Sequence, residues 1–338
     1  MKNRMRLSIL CFMMMLVLSF SFSGTFAIAE EKEVYLGGIP IGIGLAESGL
    51  IVTGLVDVIT DEGACCPARG SEISTGDLIT KIDGRDILAL GDFVSTIQKC
   101  KEDVILTVKR GEREFVVTLT PVTDILTGLK KLGLTLKNGI NGIGTLTFVK
   151  EDLSFGALGH GIMDADTGKL FTCNGGSVYF CRINSFKRAE KGKAGELSGT
   201  FLDRDYPIGV ICRCNEFGVY GIADRSMLRG LKKIPIAFRQ EVKTGDAYIV
   251  STIHGETPSL YKIEIVKTAS QKTPKEKSML IRVVDETLLA ETGGILQGMS
   301  GSPIVQNGKL IGAVTHVLVN DSTLGYGIYL DWMLENAA

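Results

Sequence analysis

The sequence predicts a mostly β protein, with a smaller unit of strands around one helix followed by a larger unit of one or two β-barrels. Its 41 glycines against 8 prolines indicate many tight turns, as expected where hairpins join short strands. From about residue 140 onward, alternating or β-branched runs are separated by turn sequences, and only Tyr329–Ala338 has a helical pattern. Short strands at such regular spacing are typical of barrels.

The strands of the larger unit are predicted from alternation and β-branching. They are Thr145–Val149, Val178–Arg182, Val210–Cys214, Ala247–Thr252, Tyr261–Val266, Met279–Val284 and Lys309–Val314. The polar, basic segment Gln271–Lys277 is predicted to be the tip of a hairpin.

The smaller unit is predicted over residues 34–122. Asp83-Gly84 separates two apolar runs and therefore predicts a hairpin turn. A helix is predicted with Asp92 as its N-cap, because Phe93, Ile97 and Cys100 follow at helical spacing. The larger unit is assigned to residues 123–338.

The first 29 residues have the pattern of a secretory signal. A basic start precedes the apolar run Leu7–Phe22, and Ala27-Ile28-Ala29 has the small residues of a cleavage site. We therefore expect export across the cytoplasmic membrane. Membrane anchoring by an uncleaved segment is the alternative, because the run approaches the length that spans a bilayer. The net charge of −1 does not favour a nucleic-acid partner.

The cysteines leave two interpretations open. Eight are present, and Cys11 lies in the signal, so the odd remainder argues against a complete disulfide framework. If Cys212 and Cys214 lie in a strand they share one face, and with Cys173 and Cys181 they would supply four thiolates for zinc. The absence of a C-x-x-C spacing favours small buried cysteines instead. No metal or cofactor is expected.

The segment Gly298-Met299-Ser300-Gly301-Ser302-Pro303 carries the strongest chemical signal. Glycines beside a serine permit a tight turn that exposes the hydroxyl. The N–H groups of Gly298 and Ser300 are predicted to form an oxyanion hole. The alternative is an ordinary Gly/Ser turn before a strand.

A serine nucleophile requires a base, and His160 is the best candidate because glycines on both sides leave its ring accessible. His316 ends an apolar strand and is the competing base, whereas His254 lies in a loop.

The acid is predicted to be Asp285, at the end of an apolar strand, with Asp224 as the competitor. Asp164 and Asp166 are assigned to a turn. The chain order His160, Asp285, Ser300 is that of chymotrypsin-like β-barrel peptidases, whereas an α/β-hydrolase has serine first.

Several long segments resemble the stage IV sporulation protein B (SpoIVB) peptidase family, over nearly the whole exported chain. The segments are Gly142–Phe148, Leu158–Ile162, Asp164–Gly168, Gly293–Lys309 and Gly312–Val317. The resemblance implies a chymotrypsin-like double barrel and places the family's triad on His160, Asp285 and Ser300. It also implies export from the forespore into the intermembrane space of endospore-forming bacteria, self-cleavage, and cleavage of a regulator of a membrane metalloprotease that activates a late sigma factor.

The smaller unit resembles a PDZ domain. Its Ile41-Gly42-Ile43 matches the carboxylate-binding loop, in which backbone N–H groups hold a chain terminus and the peptide adds a strand to the sheet edge. The expected partners are therefore a protein or peptide substrate, chain termini bound by the PDZ domain, and a membrane-associated regulatory substrate. The hypothesis is a serine endopeptidase; the alternative is a catalytically silent PDZ scaffold.

Overall fold

Antiparallel β-sheet accounts for most of the regular structure, so the mostly β prediction is confirmed. The computed structural model describes residues 32–87, 89–166, 168, 170–171, 173 and 175–337. The predicted signal lies outside these residues. None of the described helices is long and apolar enough to cross a membrane.

The strands of the N-terminal part are β1 (Glu33–Leu36), β2 (Pro40–Leu55), β3 (Val58–Thr60), β4 (Gly63–Cys65), β5 (Leu78–Ile82), β6 (Arg85–Asp86), β7 (Val104–Arg110), β8 (Arg113–Leu119), β9 (Val122–Thr123) and β10 (Lys130–Lys131). The strands that follow are β11 (Leu134–Val149), β12 (Ser154–Ala157), β13 (Gly176–Lys187), β14 (Gly195–Phe201), β15 (Gly209–Asn215), β16 (Gly218–Ala223), β17 (Lys233–Pro235), β18 (Gly245–Ser251), β19 (Ser259–Thr268), β20 (Met279–Val283), β21 (Leu296–Gln297), β22 (Pro303–Gln306), β23 (Lys309–Leu318) and β24 (Asp321–Tyr329). The helices are α1 (Leu90–Lys99), α2 (Glu286–Thr292), α3 (Leu330–Asn336) and a 3-10 turn at Arg225–Leu228.

Two closed barrels form the larger unit. In barrel one the pairings run β2–β13–β15–β16–β12–β11 and return to β2. Ile41, Phe155 and Ile211 are buried in its core. Barrel two closes in the order β18–β19–β20–β24–β23–β22. The hairpin predicted at Gln271–Lys277 joins β19 to β20, which are antiparallel neighbours.

The smaller unit, for which the sequence predicted a PDZ domain, is inserted into barrel one and does not precede it (it is called the PDZ unit below). The first half of β2 is a barrel strand, whereas Leu50 and Ile51 in its second half pair with β5, followed by β7 and β8. Phe93 and Ile97 of α1 pack into the core of this unit. The predicted boundary at residue 34 is therefore wrong, because β1 and the start of β2 pair with β11 of barrel one.

The N-termini of two helices differ from the sequence prediction. Helix α1 begins at Leu90 with Ala89 as N-cap, so Asp92 lies in its first turn and is not the cap. Helix α2 was not predicted. Asp285 is its N-cap, with Oδ1 accepting from the Leu288 N–H at 2.9 Å. The helix ends at Gly293, whose φ of 77° is easily adopted by glycine.

Neither interpretation of the cysteines describes the structure fully. Cys173 and Cys214 form a disulfide with a Cα–Cα distance of 5.3 Å, so they cannot serve as zinc thiolates. Cys181 is buried and free, whereas Cys212 is exposed. Cys212 and Cys214 do not share a face, because a bulge between Ile211 and Arg213 shifts the strand register. Among the described residues, no cluster of His, Cys, Asp and Glu has a metal-binding arrangement.

The disulfide is expected to stabilise barrel one by restricting the unfolded chain. Cys173→Ser should lower the free energy of unfolding by about 2–4 kcal/mol, measured by urea denaturation of the oxidised protein. Cys212→Ser is the matched control, because this cysteine is exposed on the same barrel, and it should stay within about 0.5 kcal/mol of wild type. An equal effect of the two substitutions would contradict a bridge at Cys173.

The cap position of Asp285 gives a second prediction. Asp285→Ala should lower the free energy of unfolding by about 1–2 kcal/mol, because the Leu288 N–H loses its acceptor. Asp285→Asn should lower the free energy of unfolding by less, since the Asn amide oxygen can still accept a hydrogen bond from the Leu288 N–H. Glu286→Gln, in the first turn and exposed, is the control in the same thermal or urea titration. Unchanged stability in Asp285→Ala would show that the cap contributes little.

Candidate active site

A cleft of about 480 Å³ is lined by residues of both barrels. Barrel one contributes His160, which lies in the loop after β12. Barrel two contributes Ser300, in the turn between β21 and β22, and His316 of β23. The structure thus places the predicted nucleophile and the predicted base on the wall of one cavity.

The serine turn is held by hydrogen bonds from β11. Thr145 donates its N–H to the Ser300 carbonyl and its hydroxyl to the Gly298 carbonyl, both at 3.0 Å. The Thr147 hydroxyl donates to the Gly301 carbonyl at 2.8 Å. Gly301 has a φ of 92°, and a Cβ there would lie 2.1 Å from the Thr145 oxygen. Only glycine therefore permits this close approach of the turn to barrel one.

The Ser300 hydroxyl donates to the Thr315 carbonyl at 2.7 Å. Its proton is therefore directed to the backbone of β23 in this conformation. Gly298 and Ser300 both line the cleft, and Gly298 has a φ of 96°. The oxyanion hole assigned to their N–H groups stays a prediction.

A sharp turn positions His160. Leu158 and Gly159 have φ values of 69° and 74°, which reverse the chain as it leaves β12. The His160 Nδ1 lies 2.7 Å from the Gly161 carbonyl oxygen. Because a carbonyl can only accept, this contact is a hydrogen bond in the tautomer that carries its proton on Nδ1. Nε2 is then the unprotonated nitrogen that a base requires.

The surroundings of His160 favour its neutral form. Burial lowers the pKa of the imidazole below its ordinary value of 6.5, while the bond to the Gly161 carbonyl and the charge of Glu276 act in the opposite direction. A neutral imidazole at neutral pH is the state that can take a proton from a serine.

The second histidine of the cleft lies against the first. The rings of His160 and His316 have centroids 4.7 Å apart. The His316 Nε2 is 4.0 Å from a carboxylate oxygen of Glu276. Burial, then the neighbouring His160 and Lys277, lower the pKa of His316 to about 4. His316 is therefore neutral in the same pH range and adds no positive charge beside His160. The sequence identified His316 only as an alternative to His160 as the base. Glu276 was not identified as a site residue, because it lies in a polar hairpin tip.

The predicted triad acid is not in the cleft. Both carboxylate oxygens of Asp285 accept backbone N–H groups, one from Leu288 and the other from Lys262 at 3.1 Å. Asp285 is absent from the residues that line the cavity. The prediction that it orients His160 is therefore not met in this structure, where Gly161 supplies the bond to Nδ1.

The other candidates are engaged elsewhere. Asp224 caps the 3-10 turn by accepting from the Ser226 N–H at 2.8 Å. Asp164 forms an ion pair with Lys137 at 2.7 Å, and Asp166 pairs with the same lysine. The exposed His254 lies 2.9 Å from a Glu291 oxygen.

The predicted peptide loop Ile41-Gly42-Ile43 has no free edge. On one side these residues pair with Gly142–Gly144 of β11, and on the other with Val178–Phe180 of β13. An added peptide strand needs unpaired backbone groups. The assignment is therefore wrong: this Gly-containing segment is a central strand of barrel one, where a Cβ on Gly42 would lie 2.7 Å from the Phe201 ring.

Comparison with solved structures finds partial likenesses. The PDZ domain of the SdrC-like protein from Listeria monocytogenes is 26% identical over 27% of this chain and 90% of its own, with a TM-score of 0.22. The active form of the Rv3671c protease from M. tuberculosis is 15% identical over 58% of this chain and 72% of its own, with a TM-score of 0.31. The inactive form of the same protease is 16% identical over 57% of this chain and 81% of its own, with a TM-score of 0.30.

The family comparison is more extensive. No curated protein matches the chain. The model of the SpoIVB peptidase S55 family matches residues 128–334, which is more than half of the chain and includes both histidines and the serine of the cleft. The resemblance stated from the sequence motifs is thereby confirmed, and the chain belongs to the SpoIVB peptidase S55 family.

Proposed function

We propose that the protein is an exported serine endopeptidase in which Ser300 is the nucleophile and His160 the base. The supporting observation is that both side chains line one cleft, brought together by the bonds between Thr145 and the serine turn. These residues come from different barrels and are far apart in the chain. Their convergence in a cavity large enough for a peptide segment favours catalysis over an ordinary Gly/Ser turn.

The proposed reaction is acyl transfer to serine. The Ser300 Oγ attacks the substrate carbonyl carbon while its proton passes to the His160 Nε2. His160 then donates this proton to the departing amine as the peptide bond breaks, and water releases the acyl group in a second, equivalent step. The Gly161 carbonyl holds the Nδ1 proton throughout. The Ser300 hydroxyl must first leave the Thr315 carbonyl, to which it donates in this structure.

The proposed substrates and place of action are based on the family resemblance. We propose that the protein cleaves itself and a membrane-associated regulator of a membrane metalloprotease, so that a late sigma factor is activated during sporulation. Export into the forespore intermembrane space is part of this proposal and rests on the signal pattern of the first 29 residues. Substrates and bound partners are proteins or peptides, and the PDZ unit would bind chain termini at a surface other than Ile41–Ile43, which is a paired barrel strand.

A catalytically silent PDZ scaffold is the second candidate. Two observations favour it: the Ser300 hydroxyl bonds Thr315, and the carboxylate of Asp285 is held by backbone N–H groups. A scaffold of this kind would bind peptides but would not react with an acylating or phosphonylating reagent.

Labelling by a fluorophosphonate probe distinguishes the two candidates. The purified exported protein should be labelled, and Ser300→Ala should lose the label. His160→Ala should slow labelling by about 1,000-fold or more, and the double variant should be no worse than Ser300→Ala. Exposed His254→Ala is the control and should behave as wild type. A folded wild-type protein that resists the probe and cleaves no peptide would support the scaffold.

The pH dependence provides a second test. Because the pKa of His160 is lowered, the acid limb of kcat/KM for a peptide substrate, or of the probe reaction, should lie below pH 6.5. Glu276→Gln removes the negative charge that raises this pKa, so the limb should move to still lower pH. Exposed Glu286→Gln is the charge-matched control. A shift to higher pH in Glu276→Gln would exclude His160 as the titrating base.

A further inference from the structure

We infer that the cleft selects an extended polypeptide with an apolar side chain next to the scissile bond. The inference rests on the proposed function, since it takes Ser300 as the point of attack. It concerns two observations that the proposed chemistry does not use: the composition of the cavity wall and an open strand edge beside it.

The cavity wall is predominantly apolar. Its apolar side chains come from six segments of the chain: Ile43, Ile140, Ile143, Leu158, Ile162, Met163, Ala194, Ile295, Leu296, Val317 and Val319. Among the described lining residues, the only titratable groups are His160 and His316, and both pKa values are lowered. The wall therefore offers a substrate side chain no charged partner at neutral pH.

Ser300 and Gly298 line the same cavity, so a side chain that enters it belongs to a residue adjacent to the attacked carbonyl. An apolar side chain gains about 25 cal/mol for each Å² removed from water. A charged side chain would lose its hydration without finding a partner. A difference of one methylene group in such sites changes kcat/KM about 10- to 200-fold, and a charge should be excluded at least as strongly.

A second groove continues from the cavity and can hold the substrate backbone. It has a volume of about 610 Å³ and lies between Asn141–Ile143 of β11 and Glu196–Phe201 of β14. Gly142, Ile143, Gln297 and Gly298 line both spaces, so the groove leads to the serine turn.

One edge of β14 is open along this groove. Its other edge pairs with β13 from Glu196 to Phe201. On the groove side, β21 pairs only with Gly195 and Glu196. Among the described strands nothing pairs with Leu197–Phe201 on that side. The backbone groups there can therefore accept an extended peptide as an added strand.

The experiment uses a mixture of peptides with all residue types around the cleaved bond, and mass spectrometry identifies the cleavage sites. We expect Leu, Ile, Met or Phe at one fixed position flanking the bond, and Asp, Glu or Lys at that position to reduce kcat/KM at least 10-fold. Fluorophosphonate labelling is measured in parallel, because it reports the nucleophile independently of side-chain selection.

Variants at the cavity rim test whether the wall residues determine which substrate side chain is accepted. Val319→Glu and Met163→Glu place a charge at exposed positions of the wall, and each should lower kcat/KM for the apolar peptide at least 10-fold and improve the relative cleavage of a Lys-containing one. Both variants should still be labelled at Ser300 by the fluorophosphonate probe, which shows that they are folded and keep the nucleophile. Val210→Glu, equally exposed but outside the cleft, is the control.

The outcomes distinguish a failure of the proposed function from a failure of the selectivity inference. If the wild-type protein is not labelled and cleaves nothing, the proposed function fails. If it is labelled and cleaves peptides without preference for an apolar flanking residue, the function stands and the selectivity inference is overturned. Rim variants that keep the wild-type preference would likewise overturn the role of this cavity wall.

Discussion

The site depends on one contact between the barrels, the hydrogen bonds of Thr145 and Thr147 to the serine turn. These bonds occupy the carbonyls of Gly298, Ser300 and Gly301, and they hold the turn against β11. They fix the serine turn of barrel two against barrel one, while the paired backbones of Ile183 and Gly255 join the barrels at a second place. This contact is sterically possible because Gly301 has no Cβ, which would collide with the Thr145 carbonyl oxygen. The same strand β11 also pairs with β2 inside the PDZ unit, so a continuous pair of strands connects that unit to the serine turn.

Burial has the same consequence for both histidines of the cleft, since it lowers each pKa. It keeps His160 and His316 neutral, which prepares a base and removes positive charge. The apolar wall that causes this burial is the same surface that would receive a substrate side chain. The proposed chemistry and the inferred selectivity thus both rest on the apolar character of one cavity, whereas the charge of Glu276 raises the pKa of His160.

Asp285 shows how two physical roles compete for one residue type. A carboxylate at the end of an apolar strand is a reasonable triad acid, but it is equally a good N-cap for a following helix. In the structure both oxygens are occupied by backbone N–H groups, and Gly293 ends the helix it begins. Asp285 as N-cap and Gly293 after the last helical residue are the residue types that commonly begin and end a helix. The seven residues between them are too few to show a helical period in the sequence.

Local patterns in the sequence were sufficient for the seven predicted strands of the larger unit, the fold class, the family and the cleft residues His160 and Ser300, because alternation and long motifs can be recognised within short stretches of chain. Strands β12, β14, β16 and β24 were not predicted. Tertiary structure alone decided which edges are paired and which side chains meet. It made Ile41–Ile43 a central barrel strand, moved the PDZ boundary into β2, and joined Cys173 to Cys214 across a bulged strand. Each of these depends on pairing between segments distant in the chain, and the period of a single strand contains no information on its partner.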